Sequence, residues 1–375
     1  MPITGSPEAS TGQLKRKFRL KAPIKPQLLH ILEDYPGGQL LSEALQNAED
    51  GGASEFALVL DQRTVHGISP ELGGPAFVLI DNGSGFGHKE WESLQNLHQS
   101  EKRDSPSSIG AYGMGSRSYF HYSDVTLVVS CGEYVGLDPL EVISSHERQG
   151  EQGWKISIAS PDGQVEQQIA REAQSLFTLE LAELCRGFDV IRCGAMFRLP
   201  LRRDEDVARE ERTNTGVLGP AMPLERAESM MHGWAASAPR LLLFLTKVRR
   251  ISIWRWMADA PRPDLIAAAQ RHTGQAKVPF ERIPRSLGKG PTATYVALRE
   301  CIRNLSAEER AELSKMHADI VLIEDGAGHL CMSWLIVQRF DVETQELLAA
   351  LEDGCNAVPV VGLALPLSVT DGSQI

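Results

Sequence analysis

L-L-S-E-A-L-Q-N-A-E-D, Leu40 to Asp50, is the stretch of sequence from which the fold can be worked out. On a helix its apolar residues fall at i, i+4 and i+7 and form one stripe, which predicts packing against a core. Glu43, Asn47 and Asp50 repeat that spacing about 200° around the helix. The segment therefore predicts a helix with one buried face and, on the other, two carboxylates and an amide. Taken alone, such a second face is more often an ordinary solvated surface.

A glycine-rich turn, D-N-G-S-G-F-G, runs from Asp81 to Gly87 directly after the predicted strand Ala76 to Ile80. Its glycines do not have the Rossmann spacing, and the chain lacks the G-K-[ST] of a P-loop. The turn fits adenine, because a carboxylate at a strand end can accept from the base amine and glycines allow close approach. An ordinary turn with no ligand is the alternative for this motif alone.

A second glycine-rich segment, I-G-A-Y-G-M-G, spans Ile109 to Gly115 and precedes a predicted helix. Gly110 and Gly113 free the backbone, so the N–H groups at the helix start would face an anion such as phosphate. A glycine-rich loop packed against a neighbour is the alternative. Between the two turns, His98 to Ser108 is polar and without pattern, which predicts a mobile lid over a site.

Composition narrows the function classes. The chain has 375 residues, 42% hydrophobic and 23% charged, as in ordinary soluble globular proteins. Its net charge of −11 disfavours a nucleic-acid partner. No apolar run is long enough for a membrane span, and the N-terminus lacks a secretory signal. The six cysteines form no C-x-x-C pairs, which favours reduced thiols and a cytoplasmic location.

The chain divides into three predicted parts. Residues 1–14 are rich in Ser, Thr, Gly and Pro and are expected to be disordered. Residues 15–256 contain all the motifs above. Pro261 and Pro263 mark a boundary, and residues 257–375 predict a smaller α/β region, expected to be an incomplete following domain.

Local patterns predict further elements. Glu55 to Asp61 is a short apolar strand, and Val165 to Cys185 reads as one helix. Residues 201–215 are dense in charge and predict an exposed connection. Gly362 to Val369 alternates like an edge strand. Little sequence follows that could cover this strand, so we expect the chain to be a fragment of a longer protein or a shortened member of its family.

The order E-x-x-x-N, D-x-G-x-G, G-x-x-G-x-G resembles the GHKL ATPase superfamily, which includes gyrase, heat shock protein 90, histidine kinases and MutL. The sequence around these motifs is more similar still to the sacsin N-terminal repeat (SACS/Nov domain). The similar segments are E-A-L-Q-N-A-E-D-G-G-A-S-E, G-P-A-F-V-L-I-D-N and G-A-M-F-R-L-P-L-R. The resemblance covers about residues 15–256. It implies a two-layer α/β sandwich of the Bergerat type that binds Mg-ATP, followed by the smaller α/β region.

The resemblance also implies roles for individual residues. Glu43 would polarise the attacking water, Asn47 would hold Mg²⁺, and Asp50 would support the nucleotide. Asp81 would contact adenine. The glycines expected to line the nucleotide are Gly83 and Gly85 at the base and Gly110, Gly113 and Gly115 at the phosphates.

Three positions depart from the family pattern. Ala111 replaces a usual Gln, Ser116 a usual aromatic residue, and Ala195 a usual Thr near adenine. Binding of ATP is therefore expected more firmly than turnover. The implied function is a chaperone or co-chaperone module with weak ATPase activity, whose partners are ATP and protein clients. The rivals are a nucleotide-sensing scaffold without turnover and a DNA-associated ATPase of the MutL or MORC type, which the acidic charge disfavours.

Overall fold

The computed structural model describes residues 39–95, 115–143, 152–213, 218–243, 247–273, 317–325, 330–340 and 360–369, with positions 28, 32, 245 and 308. The expected disordered segment 1–14 and the expected lid at His98 to Ser108 lie outside these ranges. So do Gly110, Ala111 and Gly113 of the second glycine-rich segment.

The described strands form one mixed sheet of eleven strands. They are β1 (Glu55–Asp61), β2 (Ala76–Asp81), β3 (Thr126–Ser130), β4 (Glu133–Leu137), β5 (Gly153–Ser157), β6 (Ala195–Pro200), β7 (Arg250–Trp256), β8 (Asp264–Thr273), β9 (His317–Asp325), β10 (Leu330–Phe340) and β11 (Val360–Val369). Their order across the sheet is β11-β10-β9-β8-β7-β1-β2-β6-β3-β4-β5.

The register of the central strands aligns the predicted adenine carboxylate with two neighbours. β1 pairs with β7 in parallel, and the other neighbouring strands are antiparallel. Asp81 lies opposite Phe56 of β1 and Ala195 of β6, and Ala195 lies opposite Ser130 of β3. The beginnings of β1 and β6 and the ends of β2 and β3 therefore meet at one end of the strands, which we call the Asp81 end.

Helices pack on both faces of the central sheet. They are α1 (Leu40–Asp50), α2 (Pro70–Gly73), α3 (His88–Gln95), a 3₁₀ helix η1 (Gly115–His121), α4 (Gly163–Leu176), α5 (Leu179–Ala182), α6 (Asp204–Thr213) and α7 (Leu224–Leu241). Phe56 and Leu58 of β1 face the core that α1 and α7 cover. Ala57 and Val59 face the second core, which α4 covers.

The α/β class is confirmed by this arrangement. α4 and α5 bury the second face of the central sheet as well. The finer expectation, a two-layer sandwich of the Bergerat type, stays a prediction. The buried stripe of the first helix is confirmed, with Leu41, Leu45 and Ala48 all at most 2% exposed.

The prediction of an exposed connection at residues 201–215 is wrong. Asp204–Thr213 forms α6, in which Asp206 and Glu210 are buried. The carboxylate of Asp206 accepts hydrogen bonds from the backbone and side chain of Arg203. Asp206, which looks solvated in sequence, is thus buried because it pairs with arginine.

Other elements differ in smaller ways from the sequence pattern. The single helix predicted over Val165 to Cys185 is two helices, α4 and α5, that separate at Phe177. β11 lies at one edge of the sheet, as Gly362 to Val369 predicts. β7 pairs with β8 beyond Pro261 and Pro263, so the sheet continues across the predicted boundary.

Buried ion pairs stabilise the opposite end of the central strands. Arg198 of β6 is fully buried, with Nη1 2.6 Å from Asp61 Oδ2, and Arg63 Nε is 2.8 Å from Asp61 Oδ1. Burial alone would raise the pKa of Asp61, but the two guanidinium groups outweigh it and hold the pKa below its usual value. Alongside, Arg202 Nε is 2.5 Å from Asp124 Oδ1.

Glu210 is the buried acid of this region whose charge is least favourable. Burial first, and then the negative charge of Asp124, raise the pKa of Glu210 to about 7. Because a glutamate in the unfolded chain titrates lower, the stabilising contribution of this carboxyl is complete at acid pH and is lost as the pH rises through about 7.

We therefore expect Glu210→Gln to melt like the parent near pH 5 and higher than the parent at pH 8, by roughly 2–6 °C. Thermal unfolding across this pH range measures the difference. The control is Glu211→Gln, which removes the same charge from an exposed neighbour and should change little at any pH. A melting temperature lowered equally at every pH by Glu210→Gln would contradict the assignment.

Candidate functional site

The C-terminus of α1 touches the D-N-G-S-G turn directly. The N–H of Ser84 donates to the carbonyl of Gly51, at 2.9 Å. A Cβ atom at Gly83 would lie 2.8 Å from that same carbonyl and 2.9 Å from Asp81 Oδ1, so no larger residue fits without a shift. Glycine at position 83 therefore allows the end of α1 to lie beside the end of β2.

Asp81 presents one carboxylate oxygen that is not used within the described part of the chain. The side chain is half-buried at the end of β2, and Oδ1 accepts a hydrogen bond from Gly83 N at 2.9 Å. Oδ2 accepts none from the described residues. Burial raises the pKa of Asp81 to about 6, against the opposing hydrogen bond from Gly83. At neutral pH the group is mainly a carboxylate with one oxygen ready for a donor.

Ser130 connects the turn to the beginning of β6. Its buried hydroxyl donates to Gly194 O at 2.5 Å and accepts from Phe86 N at 2.9 Å. Gly85 has φ +72°, and a Cβ there would lie 2.8 Å from Ser130 Oγ and from Gly194 O. Sequence reasoning missed Ser130, because a serine at the end of an apolar strand has no distinguishing local pattern.

Asn82 fixes the other side of the turn. Its Oδ1 accepts from the backbone N–H groups of Ser54 and Glu55, at 2.8 and 3.0 Å. Its Nδ2 donates to Ser54 Oγ at 3.0 Å and to Arg186 O at 2.7 Å. The turn after β2 is therefore held by side chains from both of its flanks, and Asp81 is fixed between them.

The polar stripe of α1 is not a solvated surface. Glu43, Asn47 and Asp50 are each half-buried. Asn47 Nδ2 lies 3.5 Å from the phenol oxygen of Tyr119, in the 3₁₀ helix that begins at Gly115. The stripe and the 3₁₀ helix that begins at Gly115 are therefore neighbours.

Glu49 is a further residue of α1 that sequence reasoning did not single out. It is buried, and its carboxylate accepts from the backbone N–H groups of Lys247 and Val248, at 2.9 Å each for the shorter contacts. It thus attaches α1 to the segment that enters β7. Its position among apolar residues gave no signal of this long-range contact.

Of the predicted site residues, the structure brings together Asp81, Gly83 and Gly85 with the C-terminus of α1. Ala195 lies opposite Asp81 in the register and is 3% exposed, so the position of a usual Thr is indeed beside this carboxylate. Gly115 is the first residue of η1.

These features define an α/β domain with a glycine-lined polar site where the central strands end. Residues 21–267 match the Sacsin domain family, and the chain belongs to that family. It is similar to Sacsin of Homo sapiens, with 28% identity over 361 residues, 93% of this chain and 7% of that protein. The chain thus spans a small part of that relative.

Among solved structures, the chain is similar to one described as the crystal structure of the N-terminal domain of a DNA repair protein. The identity is 10% and the TM-score 0.31, over 84% of this chain and 71% of that chain. So weak a similarity supports no inference about the site.

The contact between Gly83 and Gly51 is testable with two alanine substitutions. Gly83→Ala should lower the melting temperature by roughly 2–12 °C, because a Cβ meets backbone and overpacking typically costs about 1–3 kcal/mol. Gly87→Ala is the control, since a Cβ there would meet only the movable end of the Glu90 side chain, at 3.0 Å. Equal melting temperatures for the two variants would argue against the close approach.

Proposed function

We propose that this chain is a GHKL-type module that binds adenine nucleotide with Mg²⁺ and acts as a chaperone or co-chaperone in the cytoplasm. The observation on which this rests is the Asp81 carboxylate. It lies at a strand end, between backbone that approaches too closely for any side chain at positions 83 and 85, with one oxygen free of donors among the described residues. A carboxylate so placed is the acceptor that the amine of adenine needs.

The donor set also fits magnesium. Mg²⁺ takes oxygen ligands, keeps several waters and needs only one or two groups from the protein. Within the described residues no cluster of three or more His, Cys, Asp or Glu could hold a metal by itself. Asn47 would supply one amide oxygen, the nucleotide would supply phosphate oxygens, and the metal would neutralise phosphate charge.

Glu43 lies one helical turn before Asn47 on the same face of α1 and would polarise the attacking water. Glu43 is half-buried and shares its face of α1 with Asn47 and Asp50. Asp50, a turn further on, would support the nucleotide. Gly110, Gly113 and Gly115 would surround the phosphates, as the family resemblance implies.

A nucleotide-sensing scaffold that does not hydrolyse ATP is the second candidate. Ala195 favours it, because the position opposite Asp81 lacks the hydroxyl usual in the family. We therefore propose that the chain binds ATP and hydrolyses it only slowly. Protein clients or chaperone partners are proposed from the family relationship. The net charge of −11 disfavours a DNA-associated role, and none of the described helices is long and apolar enough to cross a membrane.

Asp81→Asn should weaken binding of Mg-ATP and of ADP by roughly 10- to 150-fold, because a hydrogen bond to a charged group is worth about 1.5–3 kcal/mol. The amide oxygen can still accept from Gly83 N, so the new NH₂ group would face the adenine amine, donor against donor. Isothermal titration measures the affinity for Mg-ATP and for ADP. Glu92→Gln, an exposed acid on α3, is the charge-matched control.

Glu43→Ala should behave differently from Asp81→Asn. Nucleotide affinity should stay close to that of the parent, while phosphate release falls by about 10²–10⁴-fold, the usual cost of a lost general base. If Glu43→Ala hydrolyses ATP as fast as the parent, the catalytic assignment is wrong. If the parent binds ATP and releases no phosphate, the scaffold is the better description. If neither variant nor parent binds nucleotide, the proposed function is wrong.

Ala195→Thr should strengthen nucleotide binding by about 2- to 13-fold, the equivalent of one added hydrogen bond of about 0.5–1.5 kcal/mol. Ala195→Val adds the same bulk to the strand without a hydroxyl and is the matched control. Titration of all three proteins with Mg-ATP separates the hydroxyl from the packing. A gain shared by the valine variant would show that the hydroxyl is not responsible.

A further inference from the structure

Tyr119 is the one described side chain that the structure pairs with Asn47. Its phenol oxygen lies 3.5 Å from Asn47 Nδ2, and the residue is 1% exposed. The ring packs edge-on against Phe197 of β6, with centroids 5.5 Å apart and planes at 77°. The phenol is therefore held on a rigid support beside a half-buried amide.

An asparagine amide has two chemically different ends of nearly equal size. Only its oxygen can bind Mg²⁺, whereas its NH₂ group can only donate. Without a fixed partner, rotation of the amide by half a turn would replace the ligand atom with a donor. A phenol can accept or donate, so it fixes the amide when its own proton is given to another group. In the structure the phenol oxygen accepts from Nδ2, which leaves Oδ1 to face the other way.

We propose that Tyr119 is a positioning residue that orients the Asn47 amide so that Oδ1 is presented to magnesium. This inference rests on the proposed function, in which Asn47 holds Mg²⁺. The separation of 3.5 Å is long for a hydrogen bond, and such contacts commonly shorten when the ligand binds. Partners that orient a metal ligand typically change metal affinity by about 10- to 100-fold when they are removed.

Tyr119→Phe tests this directly, since it removes the phenol oxygen and keeps the ring that packs on Phe197. The expected result is a loss of roughly 10-fold in the Mg²⁺-dependent part of ATP affinity. Affinity for ATP in EDTA should not change. Isothermal titration with a non-hydrolysable ATP analogue, with Mg²⁺ and with EDTA, measures both quantities without relying on turnover.

The decisive comparison repeats Tyr119→Phe in a protein that also carries Asn47→Asp. A carboxylate has two equivalent oxygens, so either orientation presents a ligand and the phenol is no longer needed. Tyr119→Phe should therefore have an effect of less than about 2-fold when it is combined with Asn47→Asp. Tyr122→Phe, which removes the phenol of another buried tyrosine, is the control and should leave the Mg²⁺ dependence unchanged.

The outcomes are distinguishable. A parent protein that binds the analogue equally with Mg²⁺ and with EDTA, or not at all, overturns the proposed function and this inference with it. A parent that needs Mg²⁺ while Tyr119→Phe binds equally well overturns the inference alone. The inference is also overturned if Tyr119→Phe lowers the affinity for the analogue equally with Asn47 and with Asn47→Asp, or lowers it in EDTA. A residue that only supports the fold would have these effects.

Discussion

The approach of the Gly51 carbonyl to the backbone of residues 83 and 84 is the constraint on which the site depends. For this contact, α1 and β2 must end at the same place, and the residue where they touch, Gly83, must be a glycine. α1 can meet this requirement because two independent sets of contacts fix its position. Its leucine stripe packs on β1 and β2, while Glu49 binds the backbone that enters β7, the parallel neighbour of β1. The polar stripe of α1 is then half-buried, with Asn47 beside Tyr119 of η1.

The buried aspartates at the two ends of the central strands have different partners. At one end, Asp61 and Asp124 are buried but paired with Arg198 and Arg202, so burial is offset and the region can serve as structure. At the other end, Asp81 has a backbone N–H as its described partner, and burial raises the pKa of its carboxyl. An incompletely compensated acid beside a glycine-rich turn makes this end of the strands the candidate binding site.

Much of the fold follows from local sequence pattern, and the failures have identifiable causes. α1 and the edge strand were predictable because their periodicity is uninterrupted, and β2 because it is a continuous apolar run between turn residues. The second buried face was also signalled, since E-F-A-L-V-L-D is apolar at consecutive positions, which is typical of a strand covered on both sides. α6 was not predictable, because Asp206 is buried through pairs with Arg203, in the turn before the helix, and with Arg209 of the helix itself. α7 has helical spacing, yet it contains Pro239, which ordinarily argues for a helix end.

The candidate site divides in the same way. Asp81, its glycines and Asn47 belong to short motifs, whereas Ser130, Glu49 and Tyr119 act through contacts between elements distant in sequence, which no single-sequence pattern reports. Ala195 links the two groups, because the register sets it opposite Asp81. In the proposed function, the missing hydroxyl leaves Asp81 as the side chain that recognises the base, without a second polar group to share that role. Recognition then depends on how firmly the turn holds one carboxylate, and this explains why Asn82 and Ser130 fasten the turn from both sides.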